Sequence, residues 1–282
     1  MTADLLGAHV STEGGVSTAP ARAAEIGARA IQVFTKTPNQ WREPPIDPDE
    51  VARFRAEMVR HGVAVAVAHD SYLINLASPD DKLRARSLTC FRGELDRCRA
   101  YGIPYVVSHP GNFMDDHDAG MARNSAAYAA ALAEAGGDVG VLIEGTAGAG
   151  TALGRTFEEL RDLRAAMPEA VRPRVGFCLD TAHLHAAGYD VVGDVGGVFD
   201  EFDRVVGLPL LKCLHLNDSK AAPGSRLDRH EWIGEGTIGE APFRRILQDP
   251  RFGEVIKIIE TPKGDDPVSN DRRMLARLRS YV

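Results

Sequence analysis

Cysteine is scarce in this sequence: four residues in 282, at positions 90, 98, 178 and 213, with no C-x-x-C pair. Two fall in a helix pattern and two inside apolar strand runs, so all four read as buried, reduced thiols in a reducing compartment. A chain of this length needs no disulfides to hold its core. Long apolar runs are also missing. No stretch approaches the roughly 20 apolar residues of a membrane span. The start, MTADLLGAHV, lacks the basic region and apolar run of a signal peptide. The expectation is a cytoplasmic protein without a membrane partner. There is no G-x-G-x-x-G or P-loop to cradle a nucleotide, and no linker, charge run, low-complexity tract or clear short repeat. Basic excess is absent as well. A formal charge of −7 argues by itself against a polyanionic partner. Bound divalent ions would offset that charge, and local charge then outweighs the total.

What is present is the profile of a globular protein, 44% hydrophobic and 26% charged. Eight near-continuous apolar runs read as buried parallel strands: Leu5–Val10, Ala30–Phe34, Val63–His69, Tyr105–His109, Val139–Glu144, Val175–Asp180, Leu210–Leu216 and Val255–Glu260. Helix patterns alternate with them at Ala19–Gly27, Pro48–His61, Gly120–Ala135, Phe157–Ala166, Val195–Val206, Ala241–Gln248 and Val268–Ser280. A further helix opens at Ser78-Pro79-Asp80-Asp81, with Ser78 as the expected cap, and ends at Gly102. This alternation predicts an α/β fold: one (β/α)8 TIM barrel over residues 1–282, with its site at the carboxyl ends of the strands. An open doubly wound sheet would show fewer strands and often a glycine-rich loop. The segment Ser219–Glu240 carries no convincing element but is dense in His, Asp, Arg and Gly, which marks a functional loop.

The strand ends carry the chemistry. Seven of the eight finish in a metal-capable side chain: His9, His69, His109, Glu144, Asp180, His215 and Glu260. The second strand, ending Phe34-Thr35-Lys36, is the exception. His183 follows the sixth strand, and Asp228 and His230 lie in the long loop. A lone histidine at a strand end is ordinarily a hydrogen-bonded structural residue. That explanation loses force when so many strand ends converge on one barrel face. Four acids packed there without counter-charge would repel one another, and cations remove the cost. Mixed imidazole and carboxylate ligands without a thiolate suit zinc or manganese better than magnesium or calcium. The number of candidates calls for two or three ions with a bridging carboxylate.

The motifs Gly7-Ala-His-Val-Ser, His69-Asp-Ser-Tyr-Leu-Ile-Asn-Leu, His109-Pro-Gly, Leu179-Asp-Thr-Ala-His, His215-Leu-Asn-Asp-Ser-Lys and Gly224-Ser-Arg-Leu-Asp-Arg-His, in this order and spacing, resemble the endonuclease IV family. These are metal-dependent apurinic/apyrimidinic endonucleases on a xylose-isomerase-like barrel, and the resemblance spans essentially the whole chain. It implies three Zn2+ ions, with Mn2+ an alternative at one position. His69, His109 and Glu144 would hold the first, with Glu144 bridging to a second shared with Asp180, His215 and Glu260. His183, Asp228 and His230 would hold the third. Glu144 and Glu260 would be the catalytic carboxylates, and His9 a supporting or phosphate-contacting residue. The implied partner is double-stranded DNA with abasic or 3′-blocked sites, cut 5′ to the lesion in base excision repair. No obligate protein partner is implied. Tyr72 matches the position that penetrates DNA. Lys36, Arg42, Lys220, Arg226 and Arg229 are candidate phosphate contacts. The chain departs from the family at Gly145, Ala149, Ala182, His185 and Asn39, none of which is a ligand. Two other functions use the same residues. A one-metal sugar isomerase or epimerase needs only Glu144, Asp180, His215 and Glu260. A non-catalytic damage-binding protein would keep Tyr72 and the basic loops but does not need the bridging acids.

Overall fold

A computed structural model describes residues 5–282. Its centre is a closed barrel of eight parallel strands. They are β1 (Leu6–His9), β2 (Ala30–Phe34), β3 (Val65–His69), β4 (Tyr105–Ser108), β5 (Gly140–Glu144), β6 (Val175–Asp180), β7 (Leu211–His215) and, after a two-stranded hairpin, β10 (Ile256–Ile259). The hairpin pairs β8 (Asp218–Ser219) with β9 (His230–Glu231). Around the barrel lie α1 (Ala19–Ile26), α2 (Pro48–Arg60), α3 (Asp81–Tyr101), α4 (His117–Glu134), α5 (Phe157–Ala165), α6 (Thr181–Ala187), α7 (Val191–Val205), α8 (Glu240–Gln248) and α9 (Pro267–Arg279). No helix among the described residues is long and apolar enough to cross a membrane.

The expected strands and helices form to within a few residues, with three differences. The cap of α3 is Asp80, not Ser78. Asp80 accepts from the backbone N–H of Lys82 and Leu83 at 2.8 and 3.1 Å, whereas the Ser78 hydroxyl accepts from Asp80 N–H. A carboxylate there also meets the positive end of the helix. The short helix α6 follows β6 directly, because Asp180 caps it through the N–H groups of Ala182 and His183. The loop after β7 contains the β8–β9 hairpin, too short to leave a periodic pattern. At the other end of α3, Gly102 takes the expected left-handed C-cap, φ 78°.

The core has two shells. An outer shell packs strands on helices and includes Phe91, Tyr128, Phe157, Phe177 and Phe202. An inner shell fills the barrel: Ala30, Val67, Val107, Leu142, Cys178, Cys213, Ile256 and Ile258. Side chains alternate along a strand, so the residue two positions beyond each inner-shell residue also points inward, one layer nearer the carboxyl face. Counting two from Val67, Val107, Leu142, Cys178, Cys213 and Ile258 lands on His69, His109, Glu144, Asp180, His215 and Glu260. Two from Ala30 is Gln32. Two from Gly7 is His9, and Gly7 has no side chain because a Cβ there would sit 1.5 Å from the Ala30 carbonyl oxygen. A register shift between β6 and β7 at Phe177/Cys178 sets Asp180 opposite His215. Bulges of this kind commonly re-aim side chains beside a site.

Candidate metal centre

Glu144 is the hub. Its carboxylate is 1% exposed. One oxygen lies 3.2 Å from Nε2 of both His69 and His109; the other lies 3.1 Å from His215 Nδ1 and 3.3 Å from His183 Nδ1. His215 Nδ1 is also 3.2 Å from Glu260 Oε2 and 3.9 Å from Asp180 Oδ2. On the far side, Asp228 lies 3.3 Å from His183 Nε2 and 3.1 Å from His230 Nε2, and Asp180 lies 3.5 Å from His230 Nε2. Among the described residues, four groups of side-chain donors lie within 4.8 Å of one another; three of them make up this cluster: His69–His109–Glu144, Glu144–Asp180–His215–Glu260, and Asp180–His183–His230. The last gains Asp228 through the contacts above.

The outer nitrogens of these rings decide what the inner ones can do. His69 Nδ1 faces the Asp70 carbonyl at 3.0 Å, His183 Nδ1 the Gly145 carbonyl at 2.9 Å, and His230 Nδ1 the Glu260 carbonyl at 3.3 Å. His215 Nε2 faces the Gln32 amide oxygen at 2.8 Å. A carbonyl oxygen only accepts, so each of these nitrogens carries the proton. In the neutral ring, the opposite nitrogen then presents a lone pair to carboxylate oxygens, an arrangement that is repulsive unless positive charge lies between them. Among the described residues, buried His230 Nε2 has no hydrogen-bond partner of acceptable geometry. Tetrahedral ligands about 2.0–2.1 Å from zinc lie roughly 3.3 Å apart, close to the separations seen here. The donor set therefore fits divalent cations.

Without ions, protons on the imidazoles take the place of that positive charge. Burial opposes charge on His69, yet Glu144 beside it raises the ring to about 9. Burial likewise opposes charge on His230, which Asp180 and Asp228 raise to about 9. Burial would push Glu144 and Glu260 up, but the surrounding imidazoles hold both well below the usual carboxylate range. Burial holds His9 below its ordinary value despite Glu260.

A cavity of about 610 Å³ opens over this cluster, lined by His9, His69, His109, His183, Asp228, His230, Glu260 and Tyr72 among others. Tyr72 is 72% exposed and stands edge-on against Phe34, ring centroids 5.2 Å apart. Arg42, Lys220, Arg226 and Arg229 are exposed. Arg226 adopts a positive φ of 58°, and Lys220 faces Glu231 at 3.6 Å. Lys36 is placed differently from the expectation. Its side chain is only 2% exposed, 3.0 Å from Glu43, and its ammonium donates to the Gln40 carbonyl. It belongs to a buried network with Arg97, Glu94 and Thr35 rather than to an open phosphate-binding surface. The departures also have places. His185 is buried with Nε2 3.0 Å from the Thr237 hydroxyl, Ala182 is buried, and Asn39 and Ala149 are exposed.

Two features escaped the strand-end reading. The inner-shell thiols of Cys178 and Cys213 lie within 4.8 Å of each other and of a His215 nitrogen. Gln32, fully buried on β2, touches three residues of the cluster. The period-two count from Ala30 was the signal that identifies it.

The family model for the xylose isomerase-like TIM barrel matches residues 20–281. A protein of Chloroflexus aurantiacus named Probable endonuclease 4 is 49% identical over 280 residues, covering 98% of this chain and 97% of its own. Its namesake in Geobacter sulfurreducens is 47% identical, covering 93% and 90%. The crystal structure of endonuclease IV from Thermus thermophilus superposes with a TM-score of 0.87 at 37% identity, covering 98% of each chain. A D-tagatose 3-epimerase-like protein shares the fold alone, at TM-score 0.70 and 16% identity.

Proposed function

This chain belongs to the endonuclease IV family, and on that premise we propose that it is a DNA-repair nuclease that hydrolyses the phosphodiester 5′ to an abasic site through three zinc ions. The observation that supports this best is the convergence of nine ligands on the Glu144 hub: His69, His109, Glu144, Asp180, His183, His215, Asp228, His230 and Glu260. His69 and His109 would share one ion with Glu144. Asp180, His215 and Glu260 would share the second with it. His183, Asp228 and His230 would hold the third, with manganese an alternative to zinc at one position.

Divalent ions bound there supply a nucleophile from water at neutral pH and offset the charge of the phosphoryl group. The protein's part is positioning. Glu144 joins both sides of the cluster through its two oxygens. Glu260, partly open to the cavity, can orient a water. His9 lines the same cavity and can donate to a phosphate oxygen. Tyr72 projects from the rim, where it can stack in the helix beside an extruded abasic nucleotide; extrusion costs least where the base is already missing. Arg42, Lys220, Arg226 and Arg229 supply positive charge for the duplex backbone. The same centre would accept a blocked 3′ end, giving a trimming activity. The four free, buried cysteines support a cytoplasmic setting.

A sugar epimerase site would use Glu144, Asp180, His215 and Glu260 and leave the other five ligands without a role. The test is a duplex bearing a tetrahydrofuran abasic analogue, which cannot undergo β-elimination. A 5′-side nick that disappears on chelation, returns with zinc, and falls at least about a hundredfold in Glu144→Gln supports the reading. Folded, zinc-loaded protein that leaves the duplex intact refutes it.

A further inference from the structure

We propose that Gln32 is the positioning residue of this centre: a single buried amide selects the nitrogen with which His215 meets an ion, sets the turn of Glu260, and decides which nitrogen of His9 donates. The proposal rests on the metal-centre reading above. A glutamine amide has two donor hydrogens on nitrogen and an oxygen that only accepts. Gln32 Nε2 lies 2.6 Å from Glu260 Oε1 and 3.1 Å from His9 Nδ1, and Gln32 Oε1 lies 2.8 Å from His215 Nε2. The carboxylate fixes the amide's orientation, since turning it over would set oxygen against oxygen at Glu260.

Three consequences follow. His215 must carry its proton on Nε2, so Nδ1 is the free ligand, and that nitrogen is the one facing Glu144 and Glu260 at 3.1 and 3.2 Å. Glu260 has one oxygen held by the amide and the other turned to His215. His9 Nδ1 faces the amide nitrogen at 3.1 Å and Glu260 Oε1 at 3.5 Å; the shorter contact is to a donor, so Nδ1 accepts and the proton sits on Nε2, in a ring that lines the cavity. Gln32 is fully buried, so water cannot stand in for it. An amide in an otherwise apolar strand is costly to bury unless its bonds are made. The strand that ends without a ligand thus governs residues on β1, on β7 and just past β10.

The test compares wild type, Gln32→Leu and Gln32→Glu by zinc competition against a chromophoric chelator and by 15N-histidine NMR of the zinc-loaded protein. Gln32→Leu should weaken zinc about 10–100-fold, the range for lost supporting hydrogen bonds. It should also disturb the His215 and His9 tautomer signals. Gln32→Glu adds a readout that packing alone would not move. A carboxylate there keeps the shape and still accepts from His215, but it leaves His9 Nδ1 without a donor, so the His9 tautomer signals should shift while those of His215 stay. Wild-type affinity and unchanged tautomers in Gln32→Leu, or unshifted His9 signals in Gln32→Glu, would overturn the role of Gln32 while leaving the metal centre standing. Wild type that binds no divalent ion would overturn both. Should neither variant fold, the wild-type spectrum decides: His215 protonated on Nδ1 in the zinc-loaded protein refutes the proposal.

Discussion

Asp218 lies outside the cluster, yet it holds the loop that carries the candidate ligands Asp228 and His230, and its replacement by asparagine makes a quantitative test. Its buried carboxylate accepts five backbone N–H groups. Oδ1 takes Ser219 and Ile238 at 2.7 and 2.9 Å; Oδ2 takes Gly234, Gly236 and Gly239 at 2.9, 3.1 and 3.1 Å. Gly236 lies so close that a Cβ would sit 2.4 Å from Asp218 Oδ1. In Asp218→Asn the amide nitrogen must face one set of donors. Keeping the oxygen toward the three glycines places NH2 against two N–H groups. Hydrogen bonds to a charged group contribute about 1.5–3 kcal/mol each, so losing two costs about 3–6 kcal/mol. The two N–H groups left without an acceptor, on Ser219 and Ile238, are buried, so no water replaces the oxygen and about 3 kcal/mol is the least loss expected. For a chain of this size that lowers the melting temperature by roughly 5–10 °C. Asp218 and Ser219 pair with Glu231 and His230, so the same change loosens His230 and the adjoining Asp228. Elemental analysis after gel filtration should show zinc falling from about three equivalents to about two under the proposed assignment. A variant that melts within about 2 °C of wild type and keeps all its zinc refutes the reasoning.

Metal-stripped protein should lose stability as pH rises from about 6.5 to about 9. His69 and His230 have folded values raised to about 9 from an ordinary 6.5, so their contribution is full below 6.5 and vanishes as they deprotonate. Zinc-loaded protein should show no such decline, and parallel thermal melts across pH with and without chelator would expose a flat stripped profile that contradicts this. On the DNA side, Tyr72→Ala should weaken binding to abasic duplex about tenfold, in line with roughly 1–3 kcal/mol for a stacked base, with a much smaller change in the single-turnover cleavage rate. Arg226→Ala should lower the slope of log affinity against log salt by about one. Lys36→Ala should leave that slope unchanged and lower the melting temperature instead, because its ammonium is buried against Glu43. An equal slope change in both variants would place Lys36 on the DNA surface after all.

Much of this protein could be read from its sequence because strand periodicity is local. Apolar runs ending in His69, His109, Glu144, Asp180, His215 and Glu260 define both the barrel and the ring of side chains on its open face. Two residues along a strand always return to the same face. Tertiary structure alone decided the matters that depend on contacts between distant segments. The expected cap at Ser78 yielded to Asp80, whose charge meets the helix end. Lys36, which sequence alone set beside the duplex, is drawn inward by Glu43 and Gln40. Asp218 on β8 gathers five N–H groups from Ser219 and from residues 234–239, an arrangement without sequence period. Gln32 lies 228 residues from Glu260 in the chain and 2.6 Å from it in space. An isolated glutamine in an apolar run carries no mark of its partners; only closure of the barrel, joining β1 to β10, brings them together.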